Sequence, residues 1–111
     1  MNSPRPRVLL SFDVEEYDLP NDFGGSVGLD EQLAVGREAF ERTLELLARL
    51  DMPSTLFITA RIGEHCADLV RDASAVHEIA SHGVRHDRFE PGDYERSRTM
   101  LESISGAEVS G

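Results

Sequence analysis

The chain has 111 residues, room for one small domain, and its 40% hydrophobic content with 9 glycines and 5 prolines fits a packed core. A formal net charge of −10 argues against nucleic-acid binding, which needs a basic surface, and gives no attraction to an anionic membrane. The single cysteine, Cys66, excludes an internal disulfide.

The opening "MNSPRPRVLL" has arginines, but the apolar run behind them is too short for a secretory signal. No apolar stretch approaches the length of a membrane span. The expected location is therefore cytoplasmic. "RVLLSF", Arg7 to Phe12, predicts a buried strand that ends in acid: Asp13, Glu15, Glu16 and Asp18 fall within six positions. Like charges this close repel unless something positive is paired with them. The next stretch, "EEYDLPNDFGGSVGLDEQ", predicts a long polar loop, and loops of that length are often functional. "GREAFERTLELLARLDMP" predicts an amphipathic helix with Phe40, Thr43, Leu44, Leu47 and Leu50 on one face, ended by Pro53.

"STLFIT", Ser54 to Thr59, predicts a second strand, and "RIGEHCADLVRDA" a second helix. Cys66 falls in step with Ile62, Leu69 and Val70 there, so it belongs to the core; His65 lies mid-helix and exposed. "VHEIAS", Val76 to Ser81, predicts a third strand, with His77 in a structural, hydrogen-bonded role. "HGVRHDRFEPG" predicts a loop or short turn. "PGDYERSRTMLESIS" predicts a third helix, with Pro91 in its first turn and Gly106 as its C-cap. The final "AEVSG" reads as the approach to a fourth strand. The fold class is α/β, in the order βαβαβα, and such alternation implies a parallel sheet with right-handed crossovers.

Active sites in α/β folds gather at the C-terminal ends of parallel strands. Asp13 and Glu15 follow the first strand, and two apart in extended chain they project the same way. His82 and His86 follow the third strand, and on one turn of helix a spacing of four puts both rings on one side. Each pair alone has an ordinary explanation, a solvated strand end or two exposed loop histidines. Together they form a hydrolytic pattern of two histidines and one carboxylate holding a divalent metal, with a second carboxylate beside it as general base. Glu16, Tyr17 and Asp18 are expected on the loop surface, with Tyr17 a candidate for lining a substrate groove.

"SFDVEEYD", "STLFIT" and "HEIASHGVRHDRF" together resemble the polysaccharide deacetylase family, carbohydrate esterase family 4. The likeness is to that family's opening aspartate motif in its F-D-x-E/D form, its T-F-F strand and its H-x3-H motif. It runs from about Arg7 to the last residue. The resemblance implies a metal-dependent hydrolase that removes N-acetyl groups from a carbohydrate. It assigns Asp13 as catalytic base and Glu15, His82 and His86 as ligands of a metal, usually zinc.

Three departures stand out: Gly83 replaces a common Ser or Thr, Glu15 replaces the more usual Asp, and Val76 replaces a glycine. Family members continue with an aromatic-Arg motif and later a Leu-His motif. Residues 1–111 thus read as a partial domain, truncated before the aromatic-Arg motif and covering the first half of an irregular (β/α)7 barrel. Such a fragment is expected to be inactive alone and to self-associate through open sheet edges. Two other readings remain: a non-catalytic metal- or carbohydrate-binding module, and an acidic α/β fragment that pairs with another copy.

Overall fold

A computed structural model of the chain describes residues 4–111. Three strands, β1 (Ser11–Val14), β2 (Thr55–Ile58) and β3 (Glu78–Ser81), form one parallel sheet in the order β1-β2-β3. Four α-helices accompany them: α1 (Leu29–Leu50), α2 (Ala60–His65), α3 (Ala67–Ala73) and α4 (Asp93–Ser105). The expected βαβαβα alternation is present, with one helix divided in two.

The register aligns Phe12 with Leu56 and Ile79, and Val14 with Ile58 and Ser81. These positions share one face of the pleat, and the core lies between that face and the helices. Val14, Leu56, Ile58 and Ile79 meet Phe40 of α1, Ile62 of α2, Val70 of α3 and Leu101 of α4 there. Asp13, Phe57 and Ala80 align on the opposite face. The side chain of Asp13 is 60% exposed. Because all strands are parallel, their C-terminal ends lie along one edge.

Several boundaries differ from the sequence expectation. The first strand was expected at Arg7–Phe12 and lies at Ser11–Val14. The last bond before it runs from the Thr55 N–H to the Leu10 carbonyl. One pleat earlier the partner is Pro53, which has no N–H to give. Leu9 is consequently 93% exposed rather than buried. The third strand likewise starts at Glu78, not Val76, which is exposed.

The expected long loop is shorter, because α1 begins at Leu29 rather than Gly36. Asp30 and Glu31 favour the positive end of the helix. Gly36 sits inside α1 because its surface meets other backbone: a Cβ there would lie 2.7 Å from the Glu15 carbonyl oxygen. The remaining loop contains a 3-10 turn at Leu19–Phe23. Asp51, in the left-handed region at φ 52°, ends α1, and Pro53 follows two residues later.

The second helix is broken at Cys66, whose backbone leaves the helical region (φ −116°, ψ 35°). The break lets α2 and α3 both pack on α4. Cys66 is nonetheless fully buried in the core, and His65 is exposed, both as expected. His82 to His86 is not helical; the chain turns at Gly83 with φ 86°. Pro91 lies outside α4, which starts at Asp93 after Gly92. The expected C-cap at Gly106 is present, in the left-handed region. Residues 107–111 form no strand, but Val109 is buried and the Gly111 carbonyl accepts from the Ser81 N–H beside β3.

Candidate metal centre

The C-terminal strand edge holds Asp13 near the end of β1 and Glu15 just after it, Thr59 and Arg61 after β2, and the loop from His82 after β3. That loop is pinned by backbone bonds. His82 N–H donates to the Ile58 carbonyl at 3.0 Å, continuing the sheet pairing by one residue. The first two N–H groups of α2, at Ala60 and Arg61, donate to the Gly83 and Val84 carbonyls at 2.9 Å each. These donors have no partner inside their own helix, so the loop supplies what the helix start lacks. Gly83 makes the turn. No atom would obstruct a side chain at this position, so its left-handed backbone is what favours glycine.

Glu15, His82 and His86 converge, although through a loop and not through the helical turn their spacing suggested. Glu15 Oε2 lies 3.0 Å from His82 Nε2 and 2.6 Å from His86 Nε2. One donor atom from each residue falls within 4.8 Å of the others. The two imidazole centroids are 5.9 Å apart and tilted by 36°. A carboxylate oxygen and two imidazole nitrogens this close together suit zinc or a similar divalent ion. Asp13 stands beside this group, its Oδ2 4.0 Å from His82 Nε2.

Two acids that the sequence places on the loop surface lie inside. Glu16 is 2% exposed. It accepts a short hydrogen bond from the Thr59 hydroxyl and one from the His86 backbone N–H at 3.1 Å, with Arg61 at 3.8 Å. Asp18 Oδ1 is 2.6 Å from His86 Nδ1. Alternation along extended chain carried the signal for Glu16: if Glu15 faces the site, its neighbour faces the other way. Nothing in the letters indicated Asp18.

Burial lowers the affinity of His86 for a proton, but the Asp18 hydrogen bond and the Glu15, Asp18 and Glu16 charges outweigh it and raise its pKa. Tyr17 is half-exposed and borders a cavity of about 310 Å³ between the β1 loop and α1, which also reaches Asp13, Glu15 and His86. His77 has the structural role expected of it: its Nδ1 accepts the Ser54 N–H at 3.0 Å.

The sequence model of the family described as polysaccharide deacetylase matches residues 1–109. The chain belongs to the polysaccharide deacetylase family. Among solved structures, a probable polysaccharide deacetylase from Pseudomonas aeruginosa PAO1 superposes with a TM-score of 0.68 at 17% identity, over 91% of this chain and 44% of that one. A Puue allantoinase gives 0.60 at 21% identity, over 91% and 43%. A mutant of a Bacillus anthracis CE4 family pseudoenzyme, with restored enzymatic activity, gives 0.63 at 16%, over 91% and 33%. Identities this low carry the deacetylase (β/α) barrel fold alone. This chain spans less than half the length of each of these structures. No curated protein sequence matches it.

Proposed function

We propose that this segment is the metal-holding part of a hydrolase that removes N-acetyl groups from a carbohydrate. The observation that carries the reading is the convergence of Glu15, His82 and His86 at the strand edge, within a chain of the polysaccharide deacetylase family. Glu15 Oε2 and the Nε2 atoms of the two histidines would hold a divalent ion, zinc by choice of donors. When bound, that ion supplies Lewis-acid polarisation of the acyl carbonyl and lowers the pKa of a nearby water.

The chain's own residues supply the rest. Asp13 is exposed, 4.0 Å from His82 Nε2 and not hydrogen-bonded to it. That leaves its carboxylate open to take a proton from a water in the groove, the role of a general base. Glu15 and the histidines are occupied with one another and are unsuited to that task. The exposed edge beside Asp13 leaves room for a sugar to approach.

The test is a zinc titration of the chain followed by dialysis. One equivalent should bind to the wild-type chain, and Glu15→Gln, His82→Asn and His86→Asn should each lose most of that affinity. Asp13→Asn should bind zinc normally. Placed in a polypeptide that carries this segment in a complete barrel, Asp13→Asn should lose about 10²–10⁴-fold of acetate release. Unchanged turnover in that variant would remove Asp13 from the chemistry. Zinc binding with no turnover in the unaltered barrel would point instead to a binding module.

A further inference from the structure

We infer that Glu16 and Asp18 are positioning residues that clamp His86 from two sides and preset it for a divalent ion. This rests on the reading of Glu15, His82 and His86 as the ligands. His86 sits in a loop, not on a helix or strand, and four residues of irregular chain separate it from β3. A ligand on such a loop would ordinarily lose entropy when the metal orders it. Here two carboxylates do that ordering in advance.

Asp18 Oδ1, 2.6 Å from Nδ1, takes the N–H on that side of the ring. The Nε2 lone pair is then the one left to face Glu15 and a metal, and the ring plane is fixed. Glu16 holds the backbone: its Oε2 accepts the His86 N–H at 3.1 Å while its other oxygen accepts from the Thr59 hydroxyl. Thr59 is itself fully buried and caps α2 by accepting the Ile62 N–H at 3.3 Å. Glu16 therefore ties the first strand's loop, the end of β2 and the histidine loop to one another. A buried carboxylate is costly unless its oxygens are satisfied, and both oxygens of Glu16 are. The four acids thus divide between two tasks. Asp13 and Glu15 face the site, while Glu16 and Asp18 face the ligand loop.

Two readouts test the clamp. The first needs no metal: nitrogen-15 NMR of the zinc-free chain, following solvent exchange of the His86 backbone N–H and ring Nδ1–H. Both should be slowed in the wild-type chain. Asp18→Ala should free the ring proton alone. The second is zinc affinity, expected to fall about 10–100-fold in Asp18→Ala. Asp18→Asn, which keeps an acceptor oxygen, should recover part of it, with circular dichroism unchanged in both variants. Glu16→Gln should free the backbone N–H; because Glu16 is buried, the Asp18 pair decides if that variant fails to fold. Freely exchanging Nδ1–H in the wild-type chain, or equal zinc affinity in Asp18→Ala, would overturn the inference. If the wild-type chain takes up no zinc, the ligand reading falls, and the exchange data alone then uphold or overturn the clamp.

Discussion

Gly36 controls the position of Glu15 from the far side of the backbone. Its Cα faces the Glu15 carbonyl, with room for no Cβ: 2.7 Å to that oxygen and 3.0 Å to Ile62 Cδ1. Gly36→Ala should push Glu15 or α1 aside, costing about 1–3 kcal/mol as overpacking does. A lowered urea midpoint together with weaker zinc binding would mark it; unchanged values in both would show that α1 yields freely. His77 offers a test by pH. Burial holds its pKa below the ordinary value of about 6.5, and its Nδ1 must stay unprotonated to accept the Ser54 N–H. As pH falls below about 6.5 the unfolded chain therefore binds the proton first, so this contribution to stability is complete above that pH and lost below it. Urea midpoints at pH 7.5 and 5.5 should differ more in the wild-type chain than in His77→Gln. Equal differences would clear His77. At this scale the sequence is informative about which residues carry chemistry, because two pairs of ligand-type side chains follow strands that end on one sheet edge; the helical turn expected to join His82 and His86 is instead a loop. What Glu16 and Asp18 hold was hidden for a physical reason. Their partners are a backbone N–H and a ring nitrogen about seventy positions away, and no local pattern reports such a contact.

The elements were legible in kind and order but not in extent. Each strand has four residues, because pairing stops where Pro53 cannot donate and where the chain turns out of the sheet. Periodicity sees apolar letters and cannot see that Val8 and Leu9 lack partners. It also cannot see that Gly36, which reads as a boundary, is a contact. The split at Cys66 keeps its residues in helical step, so the pattern runs through it. What holds these short pieces together is α4. Leu101 is fully buried and would lie 2.9 Å from a Cβ on Gly63, so α2 and α4 touch where α2 has no side chain. Leu101→Ala should cost about 2–5 kcal/mol, a large share of the roughly 5–15 kcal/mol available to a small domain. Far-UV circular dichroism and a melting curve measure it. A variant that melts with the wild-type chain would mean that α4 contributes little to the core.

The whole molecule is a sheet with two outer strands. At β3 one bond of the outer edge is already taken by the Gly111 carbonyl. At β1 the described residues place no strand on the outer side, and exposed Val8 and Leu9 lead into it. A radius of gyration of 15.2 Å exceeds the roughly 13 Å typical of a compact chain near this length. Open edges with apolar neighbours recruit further strands. The 111 residues should therefore associate with rising concentration in sedimentation experiments, and Leu9→Lys should reduce this; a monomer at all concentrations would contradict it. Catalysis raises a separate question at the same scale. Among the described residues, Asp13 is the one carboxylate at the site not hydrogen-bonded to His82 or His86. A base can take the proton from water, but the leaving amine of an amide also needs a proton, and a second group must be placed to give it. Such help is worth about 10²–10⁴-fold. Zinc-loaded, these 111 residues should release no acetate from N-acetylated chito-oligosaccharides above the buffer rate. Zinc-dependent release that Asp13→Asn abolishes would show instead that one carboxylate serves both as base and as acid, first taking the proton from water and then handing it to the amine.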